Sequence, residues 1–516
     1  MKDGSVLLML LKYEKKGFFS MSRQVYNPYL PLNEYIPDGE PHVFGDRIYI
    51  FGSHDREGGS TYCELDYTVY SAPVTDLTDW KCERTIYHAV QDPHYCEKRK
   101  QMYAPDVVQG SDGRYYLYYA LSGSAGKGGF DGPISVAVCD TPAGKYEYYG
   151  DVHYVDGKPL DRFILFDPAV INDGGKIYLY YGWSLSVNAG NGKIGTLINE
   201  KIQQNIFHKS LEEIRGEANG IMGANVVELE DDMLTVKSEP KRILPGIDRS
   251  NGTDFEGHAF FEANSIRKIN NIYYFIYSSQ ANHELCYATS KYPDQGFRYG
   301  GVLVSNGDIG IHGRKSKKRV TATGNNHGSI EKINGEWYVF YHRHTHLNSY
   351  NRQGCAEKIT IAEDGSIKQV PMTSCGLNNG PLPPNGIYPA AIACVLTDGH
   401  MPHVGNGRAR GKHPMITHKE NERYITGIRN RVLIGFRYFA FRGSVKLTLW
   451  VRGNGKGKFL ISDGNKRHGT EIKIKAKQEW SSYTVKLTIN RTAPLYMQYK
   501  GKGQLEFLNL ELEEIK

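Results

Sequence analysis

The chain has 516 residues, too many for one ordinary domain and enough to bury more than one large core. Its formal net charge of +7 is small for this length and argues against a nucleic-acid partner. The 37 tyrosines and 57 glycines, against only 10 methionines, are typical of strands and turns and argue against a helical protein.

A short apolar run lies near the start of the chain, at residues 7–11, with charged residues on both sides. It is too short for the apolar segment of a signal peptide or for a membrane span, and no small-residue cleavage site follows it. We interpret residues 1–21 as an N-terminal extension. We expect a soluble, cytoplasmic protein with no membrane partner.

Five similar stretches then recur along the chain, each a Gly, Asn or Asp turn followed by an aromatic strand. They are residues 45–55, 112–122, 174–184, 270–280 and 334–344. A second short apolar strand precedes each one, which predicts a β-hairpin repeated five times. The repeats are too far apart for a solenoid and favour the four-stranded blades of a β-propeller. Long helical patterns are nearly absent, and residues 211–222 could form only one or two turns.

Ionisable side chains recur at one position of this repeat, eleven residues before the matching tyrosine. The position holds Asp38, Asp167, Glu262 and His327, and in the second repeat Pro105 beside Asp106. A lone acid before a strand is usually an edge or cap residue, but a recurring one is harder to explain that way. Equivalent positions on the innermost strands of a propeller converge on its axis, so we expect these side chains to meet. Converging carboxylates push each other's pKa values apart, which lets one act as acid and another as base.

The five segments that contain these positions resemble the blades of glycoside hydrolase family 43, in order, over residues 25 to 375. They begin at IPDGEP, MYAPDVV, LFDPAVI, FFEANSI and NNHGSI. The resemblance implies an all-β fold, with a five-bladed β-propeller over residues 22–375. It also implies hydrolysis of arabinose- and xylose-containing glycans with inversion.

The resemblance also implies a role for each recurring side chain. Asp38 matches the general base, Asp167 the residue that orients the acid and tunes its pKa, and Glu262 the general acid. His327 matches an axial histidine that contacts calcium, directly or through water, and no organic cofactor is implied. The Trp-Ala-Pro motif of the family begins here with Tyr103, which keeps an aromatic wall beside the substrate.

Two further side chains are candidates for substrate binding because they follow the third and fifth repeated strands. Trp183 is either a sugar platform or an anchor of the core, and Arg343 is a candidate hydrogen-bonding group in the site. The neighbouring side chains His54, Asp55, His342, His344 and His346 follow no metal-ligand spacing. We interpret these histidines as hydrogen-bonding residues of the loops.

A Gly-, Pro- and Asn-rich stretch, residues 376–390, reads as a linker. The alternating strands of residues 391–516 then predict a β-sandwich, jelly-roll-like in form. This part is similar to carbohydrate-binding modules of family 6. Trp450 and Trp480 are either sugar platforms or core residues, and a purely structural role for the whole domain is the alternative.

The leading functional hypothesis is an inverting, exo-acting α-L-arabinofuranosidase or β-xylosidase whose partner is an oligosaccharide substrate. An endo-acting arabinanase requires an open groove across the propeller face. A non-catalytic sugar-binding propeller is an alternative from a different class. A five-bladed enzyme that transfers fructose with retention is another, and it needs the two carboxyl groups closer together.

Overall fold

The computed structural model describes residues 25–123, 132–187, 192–465 and 469–515. Residues 1–21, predicted as an extension, lie outside these ranges. The described chain consists almost entirely of antiparallel sheets, in a propeller followed by a two-sheet sandwich. Its helices include none that is both long enough and apolar enough to cross a membrane.

Five sheets form the blades of the propeller, as predicted. Blade 1 contains β1 (Glu40–Phe44), β2 (Arg47–Phe51), β3 (Tyr67–Pro73) and β4 (Lys81–Tyr87). Blade 2 contains β5 (Gln101–Gln109), β6 (Tyr115–Ser122), β7 (Ile134–Cys139) and β8 (Glu147–Asp151). Blade 3 contains β9 (Ala169–Asp173), β10 (Lys176–Trp183), β11 (Gly223–Leu229) and β12 (Lys241–Pro245). Blade 4 contains β13 (Phe260–Ile269), β14 (Ile272–Ser279), β15 (Glu284–Ser290) and β16 (Arg298–Ser305). Blade 5 contains β17 (Ile330–Ile333), β18 (Glu336–His344) and β19 (Arg352–Ile359).

The first strand of each blade lies innermost. Strands β1, β5, β9, β13 and β17 contact one another from blade to blade, and a bridge between Gly39 and Gly328 joins the first blade to the last. The predicted hairpins are the first two strands of each blade. In blade 4 the turn is Asn270-Asn271, with both residues at positive φ as a tight two-residue hairpin requires.

The N-terminal segment closes the ring against blade 5, which has only three strands in the described part of the chain. The side-chain amide of Asn27 donates to the carbonyl of Ala356 at 2.9 Å, and the backbone N–H of Ala356 donates back at 2.9 Å. At Ala356, Asn27 thus makes the hydrogen bonds that a fourth strand would otherwise make with the edge of β19. Val25, Tyr29 and Leu30 are buried in the core that blades 1 and 5 share.

One long helix was not predicted from the sequence. The helix α1 (Gly192–Phe207) lies between β10 and β11 of blade 3, and the short α2 (Leu211–Gly216) follows it where one or two turns were expected. Two glycines and several β-branched residues weaken the helical pattern of α1. Its last residue, Phe207, is buried against Trp183, so tertiary packing stabilises the helix. Short 3-10 helices lie in the connections, at Ala89–Gln91, Asn306–Asp308, Ile311–Gly313, Ser316–Lys318 and Ala390–Ile392.

The second domain is a sandwich of two antiparallel sheets. One sheet orders its strands as β22 (Met415–Lys419), β23 (Glu422–Ile428), β30 (Leu505–Glu514), β25 (Gly443–Gly453) and β28 (Ser481–Ile489). The other orders them as β21 (Val395–Thr397), β24 (Leu433–Ala440), β29 (Thr492–Lys502), β26 (Lys456–Ser462) and β27 (Gly469–Lys475). The predicted linker is shorter than expected, because its strand β20 (Gly386–Pro389) pairs with β30. The core lies between the sheets.

Trp480 is half-buried and lies outside the core between the two sheets. Its indole N–H donates to Glu422 at 2.9 Å, and the guanidinium of Arg452 stacks on its ring at 4.2 Å. Trp450 is half-buried on β25. The role of either tryptophan as a sugar platform stays a prediction.

The two domains share a buried polar interface. Arg437 of the sandwich pairs with Asp308 of the propeller at 2.7 Å, and both side chains are buried. Loss of either partner would leave the other charge buried and uncompensated, which is strongly destabilising. The sandwich is therefore docked on the propeller.

Candidate active site

Three of the recurring side chains, Asp38, Asp167 and Glu262, lie where the backbone of their blade departs from regular strand geometry. Asp38 and Asp167 have φ values of +55° and +46°, immediately ahead of β1 and β9. In β13, Ala263 has a φ of +72°, and the pairing register with β14 shifts on both sides of Glu262. Such kinks turn a side chain away from the regular alternation of a strand. They direct these side chains into the propeller centre.

The structure brings these side chains together around one histidine. The Nδ1 atom of His327 lies 3.8 Å from Asp38 Oδ1 and 3.8 Å from Asp167 Oδ2. The backbone N–H of Ala263, next to Glu262, donates to Asp167 Oδ2 at 2.9 Å. Blades 1, 3, 4 and 5 therefore each contribute one ionisable group to a common centre.

Asp38 is buried but strongly favoured in its ionised form. Burial opposes ionisation, but the Arg352 guanidinium, with His342 beside it, outweighs burial and holds the pKa of Asp38 well below its usual range. Arg352 Nη1 lies 2.7 and 2.9 Å from the two carboxylate oxygens. His342 Nδ1 lies 3.4 Å from Asp38 Oδ1. Asp38 is thus a carboxylate at neutral pH.

Arg352 is itself held in place by a second carboxylate. Its Nε and Nη2 atoms each donate to Asp55 at 2.9 Å, in a bidentate pair. Asp55 also accepts the backbone N–H of Cys63 at 2.9 Å, and the ring of Tyr62 lies 4.8 Å from the guanidinium carbon. The guanidinium is thereby fixed against Asp38.

The pKa values of Glu262 and Asp167 are raised, whereas that of Asp38 is lowered. Burial, together with the negative charge of Asp38, raises the pKa of Glu262 to about 7. Hydrogen bonds from Trp183 Nε1 at 2.9 Å and Asn325 Nδ2 at 3.5 Å oppose that rise. Burial and the nearby Glu262 raise the pKa of Asp167 well above its usual range. Two such carboxyl groups titrate as a unit, so the pair retains a proton at neutral pH.

Comparison with known proteins identifies the family. The profile of the glycosyl hydrolases family 43 matches residues 32–367, which is more than half of the chain. The chain belongs to family 43. The chain is 44% identical over 507 residues to a xylosidase/arabinosidase of Thermoclostridium stercorarium, covering 95% of this chain and 99% of the relative. It is 30% identical over 329 residues to xylosidase/arabinosidase 43A of Humicola insolens, covering 61% of this chain and 89% of that one.

A solved structure supports the fold. A GH43_1 enzyme from Xanthomonas citri superposes with a TM-score of 0.51 at 24% identity, over 69% of this chain and 96% of its own. At this identity the likeness concerns the fold alone. The predicted five-bladed propeller is confirmed, and as a member of family 43 the protein is a glycosidase.

Of the two aromatic residues predicted to bind substrate in this family 43 glycosidase, Trp183 contacts a carboxylate of the site, and the role of Tyr103 stays a prediction. Trp183 donates to Glu262, and its ring contacts Phe207 and Phe261 at centroid distances of 5.5 and 5.3 Å. It is thus a packed anchor that also touches the site, and its role as a sugar platform stays a prediction. Tyr103 is half-buried, and its hydroxyl donates to the carbonyl of Gly123 at 2.9 Å.

Arg343 does not join the site. Its guanidinium donates to Gln353 Oε1 at 2.9 Å and to the carbonyls of Ala391 and Ala393 at 2.7 and 3.3 Å. Side chains alternate along β18, and His342 is the neighbour that faces Asp38. Arg343 therefore fastens the start of the sandwich to blade 5, and the prediction that it binds substrate is wrong for this structure.

The described surroundings of His327 offer few protein oxygen ligands for calcium. Calcium takes six to eight oxygen ligands. Among the described residues, the oxygen atoms paired with His327 belong to Asp38 and Asp167, and Arg352 already neutralises Asp38. Burial lowers the pKa of His327 to about 4, so the imidazole is neutral. The calcium that the resemblance implied here stays a prediction, since water would have to supply most of its ligands, and no catalytic step is assigned to a metal.

The other histidines are mainly hydrogen-bonding residues, as predicted. His54 Nδ1 lies 3.0 Å from the carbonyl of Asp66. His342 and His344 each place Nε2 2.9 Å from the carbonyl of Asn325, which positions the amide that contacts Glu262. Sequence reasoning missed Arg352 and the contact of His342 with Asp38, because neither residue occupies the recurring position.

Proposed function

We propose that this family 43 glycosidase is an inverting, exo-acting α-L-arabinofuranosidase or β-xylosidase. The observation that carries the proposal is one centre in which Asp38 pairs with the Arg352 guanidinium, while the backbone beside Glu262 binds Asp167. Asp38 is held ionised, whereas Glu262, with Asp167, holds a proton near neutral pH. An inverting glycosidase requires one carboxylate as base and one carboxylic acid as proton donor.

Asp38 is the general base in this mechanism. It accepts a proton from a water molecule as the water oxygen attacks the anomeric carbon of the terminal sugar. Glu262 gives its proton to the glycosidic oxygen as the bond to the anomeric carbon breaks. The products are the free sugar, with inverted configuration, and the shortened oligosaccharide. Proton transfer to solvent from Asp38 and to Glu262 from solvent then restores the starting state.

Asp167 and Glu262 repel each other as carboxylates and share a proton, and we assign that proton to Glu262 before the reaction, with Asp167 ionised. Negative charge on Asp167 disfavours a second negative charge on Glu262, which raises the pKa of the acid. The N–H of Ala263 stabilises a carboxylate at Asp167. Trp183 fixes the Glu262 carboxyl by its hydrogen bond, so the acid faces the same centre throughout the reaction.

The choice of sugar rests on the relatives. The protein that matches over 95% of this chain at 44% identity is named a xylosidase/arabinosidase, and so is the one from Humicola insolens. Both names support activity on arabinose- or xylose-containing oligosaccharides from hemicellulose. The first match spans both domains of this chain.

Purified full-length protein assayed with aryl α-L-arabinofuranoside and aryl β-D-xyloside tests this proposal. We expect hydrolysis of at least one of them, and from xylo- and arabino-oligosaccharides we expect single sugars as the first products. Longer fragments as first products would indicate an endo-acting arabinanase. Binding of oligosaccharides by folded protein that hydrolyses none of these substrates would indicate a non-catalytic propeller.

The pH profile should respond to the loss of Arg352. The Arg352→Gln variant removes the charge that holds the pKa of Asp38 low, so that pKa rises. Because the base must be ionised, activity is lost as pH falls through its pKa, and the acid limb of kcat/KM should move to higher pH. An opposite charge typically changes a carboxyl pKa by about 1 to 3. An acid limb that stays in place, in a variant with normal circular dichroism, would contradict this role of Arg352.

A further inference from the structure

A cluster of two histidines and one glutamate lies where the two domains meet, and the proposed mechanism does not use it. Glu57 lies between β2 and β3 of blade 1, His346 follows β18 of blade 5, and His418 lies on β22 of the sandwich. One ligand atom from each lies within 4.8 Å of the others. All three side chains are half-buried. The cluster exists only because the sandwich is docked on the propeller.

The separations within this cluster fit a tetrahedral metal ion. His346 Nε2 lies 3.0 Å from His418 Nδ1, and His418 Nδ1 lies 3.5 Å from Glu57 Oε1. A Zn²⁺ ion with bonds of about 2.0–2.2 Å in tetrahedral geometry holds its ligand atoms about 3.3 Å apart. The two measured separations lie on either side of that value, so small shifts of the side chains would place all three atoms around one ion.

Neighbouring residues orient the candidate ligands. The Nδ1 atom of His346 lies 2.8 Å from Thr345 Oγ1, which leaves Nε2 directed at His418. Arg423 pairs with Glu57, with Nη2 2.5 Å from Oε2 and Nε 3.2 Å from Oε1. A hydrogen bond on the far nitrogen of a ligating histidine and on a ligating carboxylate is the usual support of a metal site. The guanidinium of Arg423 also reduces the negative charge that Glu57 brings to the cluster. A ligand set with two imidazole nitrogens and one carboxylate then favours Zn²⁺ over calcium or magnesium.

In two other groups of potential metal ligands, a histidine is already paired with a carboxylate of the same group. His258 Nδ1 lies 2.5 Å from Glu284 Oε1, which also accepts the hydroxyl of Ser279 at 2.6 Å. His42 Nε2 lies 2.6 Å from Asp106 Oδ1. In both groups a histidine is already bound to a carboxylate. The domain-interface cluster differs because its closest contact joins two imidazole nitrogens, which share one hydrogen bond without an ion and both become ligands of one cation when that proton is released.

We propose that Glu57, His346 and His418 bind one Zn²⁺ ion, with water as the fourth ligand, and that the ion clamps the sandwich to the propeller. The role is structural, since the ligands lie outside the catalytic set. The proposal is independent of the sugar that the enzyme cleaves.

The test uses full-length protein stripped of metal with a chelator and then titrated with ZnCl₂ by calorimetry. We expect one Zn²⁺ per chain, a higher Tm with the ion bound, and the visible spectrum of a tetrahedral site when Co²⁺ replaces Zn²⁺. Loss of an outer hydrogen-bond partner costs about 10–100-fold in metal affinity. In the His418→Gln variant, which loses a ligand, the affinity for Zn²⁺ should fall by more than that. The His346→Gln variant, altered on the propeller side, should lose binding equally.

The matched control is His413→Gln, because His413 lies in the same domain and its Nδ1 atom pairs with Asp398 at 2.7 Å, outside the cluster. This variant should bind Zn²⁺ like the wild type. The proposal is overturned if the wild type binds no stoichiometric Zn²⁺, or if both the His418 and His346 variants bind it unchanged. Loss of binding in His258→Gln, with binding retained in His418→Gln, would also overturn it by placing the ion elsewhere.

Discussion

Replacing Asp38 with Asn should lower kcat by about 10²–10⁴-fold, the usual contribution of a positioned general base. The amide has nearly the same shape as the carboxylate but cannot accept the proton of the attacking water. Arg352 keeps its bidentate pair with Asp55 in this variant, so the fold should persist. The measurement is steady-state kinetics on aryl glycosides and on an oligosaccharide, with circular dichroism on the same sample.

The matched control for this variant is Asp463→Asn, an aspartate of the sandwich that pairs with the exposed Arg491 at 2.8 Å. It should leave turnover unchanged. If the Asp38 variant turned over substrate at the wild-type rate, Asp38 would not be the base.

Replacing Glu262 with Gln should produce a loss that depends on the leaving group. Protonation of the glycosidic oxygen matters most when the departing group is a sugar, so oligosaccharide hydrolysis should fall by about 10²–10⁴-fold. An activated aryl leaving group departs without help, so its hydrolysis should fall much less. The comparison of kcat/KM on both substrates measures the effect, and equal losses on both would contradict an acid role.

The same variant should also change the pH dependence. The pKa of Glu262 is raised to about 7, and the acid must carry its proton to act. Wild-type kcat/KM should therefore fall as pH rises above about 7. In the Gln variant no proton is lost at this position, so that alkaline limb should disappear.

The sequence allowed the propeller and the converging centre to be predicted for one physical reason. Each blade repeat has a strand pattern and a site position at a fixed distance ahead of it, so Asp38, Asp167, Glu262 and His327 align with one another in the sequence itself. Their meeting around His327 follows from the ring of innermost strands. The order of the two domains could also be predicted, since short alternating strands begin after the Gly- and Pro-rich stretch.

Other features of the site and of the fold could not be predicted from the sequence. Arg352 lies on β19, two strands out from the axis, and only its long side chain reaches Asp38. Arg343 sits at the end of a repeated strand, like Trp183, yet the alternation of β18 directs it to the domain interface. Helix α1 depends on contacts of Phe207 that its own sequence does not reveal. In each case a long-range contact decided the outcome.

The most direct test of the account is the configuration of the first sugar released, followed by proton NMR during hydrolysis of an aryl glycoside. If Asp38 activates water on one side of the sugar while Glu262 protonates the leaving oxygen on the other, the first product has the anomeric configuration opposite to that of the substrate. A first product with the same configuration as the substrate would mean that a carboxylate attacks the sugar directly, and the roles proposed for Asp38 and Glu262 would be wrong.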